Sequence, residues 1–433
     1  MAAPKSSPPT SSANEKRYPR AVAVRILARV LSDHEPLDEA LAAVSGEVTP
    51  EGRAWLQEVC SGTLRWKGRL DQAIDAIALK KKPTGWLRRA ILVGAYQLVG
   101  QDRTSPGATV SETVNIIKKK EGEAPAKFAN ALLRRIAEDA ERWRALPFPE
   151  RGKPESDEAA SWASLPEWLW KRIVRDRGIE WSRAYAQASL ERPQIWIRGR
   201  DAKTPPLEGA EAGPVAGSWR SPPQSSGAVH RWDGFVEGRF FVQDISSQTL
   251  VDGISAEVKR ACGSKTPRAL DLCAAPGGKS VGLAWSGIDV TATDRDETRV
   301  ALLRQTVERV APEVKIVPRA AIDALELQDL VWVDSPCSGT GILRRHPDVR
   351  WLRQERELAS LALVQLELLR EGWSKVRPGG FLAFSVCSVL VEEGADAVAR
   401  AGLTGATEIK RWELAPQLEP YGDGFWAVLL QKS

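Results

Sequence analysis

Two cysteines stand at the ends of strand-like segments and could carry out covalent chemistry. Cys337 follows "LVWVDSP" and Cys387 follows "FLAFSV", and the whole chain of 433 residues has only five cysteines. A thiolate that adds to carbon 6 of a pyrimidine makes carbon 5 nucleophilic, so that it can accept a methyl group from a sulfonium. A carboxyl group such as Asp334 could stabilise the charge that develops on the ring. The reaction needs a nucleophile, an acid and a group that assists release, and Cys387, Asp334 and Cys337 match these roles in that order.

Each cysteine also has a simpler interpretation. A free cysteine at the end of a buried strand is more often a small hydrophobic side chain than a reactive group. For either residue alone we prefer that interpretation. The chemical hypothesis depends on both thiols reaching the same edge of one sheet, beside Asp334.

A glycine turn offers a binding site for a cofactor. "DLCAAPGGKS" (residues 271–280) predicts a strand, a tight turn at Gly277 and Gly278, and a helix whose free N–H groups face a ligand. Asp294 ends the next strand, where a carboxylate can bind both hydroxyls of a ribose. The loop matches neither GxGxxG nor a Walker A sequence, which disfavours a dinucleotide or a nucleoside triphosphate. S-adenosyl-L-methionine fits better, and the alternative is a turn that serves packing alone.

The elements that would position these residues form an alternating pattern after about residue 233. The segments "RALDLC", "DVTATD", "VKIV", "LVWVD" and "FLAFSVC" are short and apolar, and helical stretches separate them. This alternation predicts a Rossmann-like α/β domain with a mostly parallel sheet and helices on both faces. Ligands bind at the carboxyl ends of such strands. Four of these strand ends carry the unusual residues: the glycine turn, Asp294, Asp334 with Cys337, and Cys387.

The remainder of the chain divides into four further parts. Residues 18–145 have helical periodicity and predict an all-α domain. We expect a disordered tail at 1–17, a linker at 146–161 and a small connecting α+β subdomain at 162–232, and the Rossmann-like domain then occupies 233–433.

Composition sets limits on partners and compartment. The net charge of +5 and the pI of about 8.9 permit a polyanionic partner without requiring one. The odd number of cysteines and their spacing argue against disulfides and against a metal site, so we expect a reducing cytoplasm. The N-terminal segment lacks the apolar core of a secretory signal, and no uncharged run is long enough to span a membrane.

Three long motifs resemble those of a known family. "DLCAAPGGKS", "DSPCSGTGILRRHPDVRW" and "PGGFLAFSVCSVLVEEG" are similar to the signatures of RNA (cytosine-C5)-methyltransferases of the Sun/Fmu family, and "GRFFVQDISSQ" resembles the segment before their first catalytic strand. The helical segments "EVCSGTLRWKGRLDQAI" and "FANALLRRI" resemble the NusB-type RNA-binding fold. That combination is similar to the bacterial enzymes that methylate 16S ribosomal RNA of the small subunit.

The resemblance implies roles for individual residues. Cys387 corresponds to the attacking nucleophile and Cys337 to the release residue, the reverse of DNA cytosine methyltransferases. The implied contacts of S-adenosylmethionine are Cys273, Ala274, Ala275, Pro276, Gly277, Gly278, Lys279, Asp294 and Asp334. A family acidic residue near the adenine is replaced here by Ala320, which leaves Asp323 as the nearest carboxylate.

Other functions stay open at this point. The chain could be a non-catalytic RNA-binding factor in ribosome assembly, or it could methylate another RNA such as tRNA, or DNA. We expect a monomer without membrane contact. Arg344 and Arg345 are candidates for phosphate contacts, while Trp351 is either a substrate contact or a hydrophobic anchor.

Overall fold

The computed structural model describes residues 19–101, 104–150, 152–222 and 229–433, and the described chain forms two compact units. The first unit contains the residues up to Leu190 together with His346–Gln354. The second contains Glu191–Arg345 and Glu355–Ser433. The predicted disordered tail, residues 1–17, lies outside the described residues, as do residues 223–228 of the predicted loop near 201–232.

The first unit is helical. An apolar face near the start of the chain packs into its core, where Ile26, Leu27 and Val30 are fully buried. The repeat of apolar residues every three to four positions produces such a face on each long helix. The helices are Arg20–Asp33, Leu37–Ala42, Pro50–Ile77, Gly85–Val99, Pro106–Glu121, Glu123–Glu138, Ala140–Arg144, Asp157–Ala163, Glu167–Arg177, Ile179–Leu190 and the short Val349–Leu352.

The segment His346–Gln354 belongs to this helical unit although it follows the Cys337 motif in sequence. Arg350 is fully buried and donates hydrogen bonds to the backbone carbonyls of Arg65, Ser164 and Ser189 at 3.0–3.1 Å. Trp351 Nε1 donates to the carbonyl of Leu64 at 2.7 Å. Trp351 is therefore an anchor within the helical unit, as one of the two interpretations held.

The second unit contains two sheets. Four short strands form the smaller sheet in the order β2-β3-β1-β4: β1 (Trp196–Gly199), β2 (Glu211–Ala212), β3 (Ser218–Arg220) and β4 (Phe240–Val242). Seven strands form the larger sheet in the order β10-β11-β9-β8-β5-β6-β7. These are β5 (Arg268–Asp271), β6 (Asp289–Ala292), β7 (Lys315–Ile316), β8 (Gln328–Asp334), β9 (Val376–Val386), β10 (Ala406–Leu414) and β11 (Phe425–Lys432).

The larger sheet is parallel from β9 to β7 and antiparallel at β10 and β11. Side chains of β8 alternate between its faces: Leu330 and Trp332 join one core, while Val331 and Val333 join the other. Helices cover both faces of the sheet, and this burial on both sides explains why the sequences of these strands are continuous apolar runs. The helices of this unit are Ile245–Cys262, Gly278–Trp285, Glu297–Val310, Glu357–Lys375 and Ala395–Ala401.

The predicted Rossmann-like arrangement and the helical N-terminal domain are both confirmed. The predicted boundaries at 145, 161 and 232 stay predictions. No helix in the described part of the chain is long and apolar enough to cross a membrane.

Candidate active site

Strand pairing brings the special residues to one edge of the large sheet. Asp271 pairs with Ala292 of β6 and Trp332 of β8, and Asp334 pairs with Ser385 of β9. β5 and β6 therefore end together, and β8 and β9 continue slightly farther toward the same edge. The residues that follow them, including Asp294 and Cys387, lie at the carboxyl edge, where open α/β sheets bind ligands.

The glycine loop makes a tight passage from β5 to its helix. Gly277 has a φ of 112°, which only glycine adopts readily, and it caps the helix Gly278–Trp285. The backbone N–H of Ala275 donates to Asp294 Oδ2 at 3.2 Å, so the next strand end supports the loop. The end of β6 therefore holds the loop in place, and the N-terminus of the helix Gly278–Trp285 faces the carboxyl edge of the sheet.

A cavity of about 310 Å³ opens beside this loop, within the size range of small-ligand sites. Seven of the nine predicted cofactor residues line it: Cys273, Ala274, Ala275, Pro276, Gly278, Lys279 and Asp334. Gly277 and Asp294 are not among its lining residues. Asp294 is buried and lies behind the loop, where its oxygens accept the N–H groups of Ala275 and Asp296.

Asp334 and Lys279 form an ion pair within the cavity. Lys279 Nζ lies 2.6 Å from Asp334 Oδ2, and the hydroxyl of Ser385 donates to Asp334 Oδ1 at 2.7 Å. Burial alone would lower the pKa of Lys279, but the Asp334 carboxylate outweighs burial and the pKa is raised. The lysine is therefore a fixed cation beside a carboxylate whose two oxygens are both engaged.

The two candidate thiols meet. Cys337 Sγ lies 3.3 Å from Cys387 Sγ, with Cys337 buried and Cys387 half-buried. The hydrogen bond with Cys387 and then burial raise the pKa of Cys337 well above its ordinary value. Cys337 therefore stays protonated at neutral pH, and the more accessible Cys387 is the better placed of the two to meet an incoming substrate.

Cys273 is the third cysteine near the site, and it is different. Burial raises its pKa to about 12, so it remains a neutral thiol that forms part of the cavity wall. This environment suits a packing residue beside a ligand and does not suit a nucleophile.

Known proteins resemble both parts of this chain. Residues 264–416 match the family model for the 16S rRNA methyltransferase RsmB/F, and residues 17–138 match the NusB family. The ribosomal RNA small subunit methyltransferase B of Salmonella arizonae is 30% identical over 447 residues, covering 95% of this chain and 98% of the relative. The chain belongs to the RsmB/F family of 16S rRNA methyltransferases.

Solved structures share the fold of this RsmB/F family member. The crystal structure of PH0851 has a TM-score of 0.68 at 21% identity and covers 99% of this chain and 100% of its own. NSun6 from Pyrococcus horikoshii with SFG has a TM-score of 0.52 at 15% identity, covering 62% of this chain and 98% of its own. The predicted family, fold and enzyme class, an S-adenosylmethionine-dependent RNA (cytosine-C5)-methyltransferase, are confirmed.

The cavity of this RsmB/F chain suits S-adenosylmethionine, the methyl donor of the family. The donor carries a sulfonium and an ammonium, and the four aspartates on the cavity wall outnumber its two cations, Lys279 and Arg345. Among the described residues, Asp423 Oδ1 and Gln243 Oε1 are buried acceptors without a hydrogen-bond partner. A Cβ at Gly278 would come within 3.2 Å of Gln243 Nε2, so glycine keeps this wall open.

The aspartates of the cavity wall are Asp244, Asp271, Asp334 and Asp423. Burial raises the pKa of Asp271 to about 7, although the Ser280 hydroxyl donates to it at 2.7 Å. Burial and then the nearby Asp244 raise the pKa of Asp423 to about 6. A cationic ligand would stabilise the charged form of both groups.

The candidate phosphate contacts Arg344 and Arg345 have structural partners. Arg344 is 3% exposed and donates to the backbone carbonyls of Tyr421 and Gly422. Arg345 bridges Asp244 and Asp423 at 2.7 and 3.0 Å. The guanidinium groups of both arginines are paired inside the second unit, and a phosphate contact for either one stays a prediction.

Asp323, the nearest carboxylate to the expected adenine position, does not line the cavity. Its side chain is exposed and pairs with Lys375 at 2.5 Å. The structure gives no adenine contact to this residue.

Sequence reasoning missed a set of buried residues behind the thiols. Ser338 and Ser388, which each follow a candidate cysteine, are joined to the buried Glu393. The repeated Cys-Ser pair at 337–338 and 387–388 was the signal that could have revealed them.

Proposed function

We propose that this enzyme methylates carbon 5 of a cytosine in small-subunit ribosomal RNA through a transient bond between Cys387 and carbon 6. The observation that carries the proposal is the pair of thiols 3.3 Å apart at the carboxyl edge, beside the Lys279–Asp334 pair. The RNA target is supported by the names of relatives such as the Salmonella arizonae enzyme.

Cys387 is the proposed nucleophile. Its thiolate adds to carbon 6, and the electron pair of the ring moves toward carbon 5, which becomes nucleophilic. When bound, S-adenosylmethionine supplies an electrophilic methyl group on its sulfonium. The charge that develops on the ring is negative, and a proton passed from the Lys279 ammonium through Asp334 to N3 of the ring neutralises it, while Lys279 also fixes the orientation of Asp334.

Cys337 is the proposed release residue. After methyl transfer the proton on carbon 5 passes to Cys337, the ring double bond re-forms, and the bond between Cys387 sulfur and carbon 6 breaks, while the departing sulfur takes up the thiol proton that Cys337 gives up. Cys337 lies against the sulfur that departs, and its raised pKa suits a group that handles a proton rather than one that attacks.

The remaining site residues have supporting roles in this proposal. Residues 273–279 bind the methyl donor, and Asp294 supports the loop from outside the cavity and stays a predicted ribose contact. The helical unit, whose residues 17–138 match the NusB family, contacts RNA through exposed lysines at 80–82 and 118–120, and such contacts weaken with salt. We further propose a cytoplasmic monomer with the five-part division of the chain given above.

Transfer of tritium from labelled S-adenosylmethionine to 16S ribosomal RNA from cells lacking the enzyme tests the function. The account expects label in 16S RNA, with bisulfite sequencing placing it on one cytosine. Label confined to tRNA or DNA would replace the proposed substrate. No label with any of these substrates, from a folded enzyme that binds RNA, would favour a non-catalytic assembly factor.

A further inference from the structure

We propose that Glu393 is a positioning residue that holds the Cys337 loop and the Cys387 loop together from behind. This inference rests on the proposed function of the two thiols. Glu393 is 1% exposed and lies in the short helical turn Val391–Glu393, six residues after Cys387.

Glu393 binds the Cys337 loop directly. The backbone N–H of Ser338 donates to Glu393 Oε1 at 2.7 Å, and the hydroxyl of Ser338 donates to Oε2. These two bonds fix the residue next to Cys337 at both its backbone and its side chain. The direction in which the Cys337 thiol leaves the chain is therefore set by Glu393.

The Cys387 loop joins the same carboxylate through hydroxyl groups. Ser338 Oγ lies 3.3 Å from Ser388 Oγ, and Ser388 Oγ lies 2.9 Å from Thr340 Oγ1. The backbone N–H of Val389 donates to Thr340 Oγ1 at 3.1 Å. All three hydroxyl residues are buried, so loss of their central acceptor would leave polar groups unsatisfied.

Gln365 ties this network to the helix Glu357–Lys375. Its Nε2 lies 3.2 Å from the carbonyl of Pro336, which precedes Cys337, and 3.4 Å from Glu393 Oε1. Gln365 is fully buried. Ser338 thus binds the carboxylate directly, and Pro336 is joined to it through Gln365, an arrangement that a shorter or apolar side chain at position 393 cannot make.

The consequence concerns the two sulfur atoms rather than the substrate. Glu393 reaches them through Ser338, Ser388 and Gln365, so it acts through other residues and contacts no reacting atom. Because side chains held on a rigid network keep reactive groups within a fraction of an ångström, loss of the network should slow both the attack by Cys387 and the release by Cys337.

The separation of the thiols can be measured without RNA. Glutathione disulfide oxidises the pair by exchange, two protein thiols and one glutathione disulfide giving one protein disulfide and two glutathione thiols. Peptide mapping by mass spectrometry then reports the fraction of Cys337 joined to Cys387 at a fixed glutathione ratio. Glu393→Ala should lower the equilibrium constant at least tenfold, whereas Glu393→Gln, which keeps an acceptor oxygen, should stay within about threefold of wild type.

The same variants are tested for trapping on RNA that contains 5-fluorocytosine and for methyl transfer in a single turnover. Glu393→Ala should lower the trapping rate at least tenfold with little change in RNA affinity, and Glu393→Gln should restore most of it. Glu392→Ala, at the neighbouring half-buried glutamate, is the matched control and should behave as wild type.

Two results separate this inference from the proposed function. If folded Glu393→Ala gives wild-type disulfide equilibrium and wild-type trapping, Glu393 does not position the thiols. If Glu393→Ala proves unfolded, a Glu393→Gln variant with tenfold losses in both readouts would equally overturn the inference, because that variant keeps an acceptor oxygen for the Ser338 N–H and an amide group that can bond the Ser338 hydroxyl. Failure of the wild-type enzyme to form any trapped adduct would instead reject the proposed function and leave the disulfide measurement interpretable.

Discussion

The sulfur atoms of Cys337 and Cys387 lie 3.3 Å apart although 50 positions separate them in the chain. The parallel pairing of β8 with β9 causes this proximity, since Asp334 faces Ser385 and each loop continues over the same edge. Two thiols at one point of the sheet can take separate roles, one as the nucleophile that attacks the cytosine ring and the other as the group that assists release of the product.

The Lys279–Asp334 pair should be essential for the rate of methyl transfer. Lys279→Met removes the cation that holds Asp334, and we expect kcat to fall on the order of 100-fold, the usual cost of losing one preorganised electrostatic contact. Lys375→Met is the control, because Lys375 pairs only with the exposed Asp323 on the described surface. Equal rates for both variants would contradict the role given to Lys279.

Gly341 should tolerate no side chain. A Cβ at this position would come within 2.0 Å of the Gly424 carbonyl and 3.0 Å of the Cys387 carbonyl, both of them backbone atoms. We expect Gly341→Ala to lower the free energy of unfolding by about 1–3 kcal/mol and to slow adduct trapping. Urea unfolding measures the first effect. Gly107→Ala is the control, because a Cβ at this helix position meets open space. It should lower neither the free energy of unfolding nor the rate of adduct trapping.

Arg350 should stabilise the helical unit through its carbonyl contacts. Arg350→Met leaves the carbonyls of Arg65, Ser164 and Ser189 without this donor, and each unsatisfied buried group costs about 1–3 kcal/mol. We expect a fall in Tm of several degrees by differential scanning calorimetry. Arg25→Met removes an exposed pair with Glu47 and should leave Tm nearly unchanged; a larger effect there than at Arg350 would refute the argument.

Asp271 should make stability depend on pH. Its pKa is about 7 in the folded chain because of burial, and about 3.9 in an unfolded one. The folded state therefore binds the proton more tightly, and the contribution of this group to the free energy of unfolding falls as pH rises from about 4 to about 7. In urea unfolding, the stability of Asp271→Asn relative to wild type should rise across that window by a few kcal/mol at most. A relative stability that falls with pH would contradict the burial argument.

The sequence predicted the parts of the site that depend on strand order. Asp271, Asp294, Asp334 and Cys387 each end a short apolar segment, and parallel pairing alone brings such ends together. The turn at Gly277 could also be predicted from the sequence, because its position between a strand and a helix requires a residue that accepts a positive φ.

Contacts made by side chains across the fold could not be predicted in this way. Charge and position suggested phosphate contacts for Arg344 and Arg345, but burial places both guanidinium groups against backbone carbonyls and aspartates. The network of Glu393 depends on hydroxyls from two separate motifs, which no local pattern connects. The inclusion of His346–Gln354 in the helical unit likewise depends on packing of Arg350 and Trp351, and a short segment with ordinary helical spacing does not reveal it.

The most direct test of the proposed chemistry is trapping of the enzyme on RNA containing 5-fluorocytosine, with the attached peptide identified by mass spectrometry. Wild type should form an adduct on Cys387. Cys387→Ala should form none, and Cys337→Ala should accumulate a stalled covalent complex on unmodified RNA. An adduct mapped to Cys337, with trapping lost in Cys337→Ala and retained in Cys387→Ala, would contradict the account.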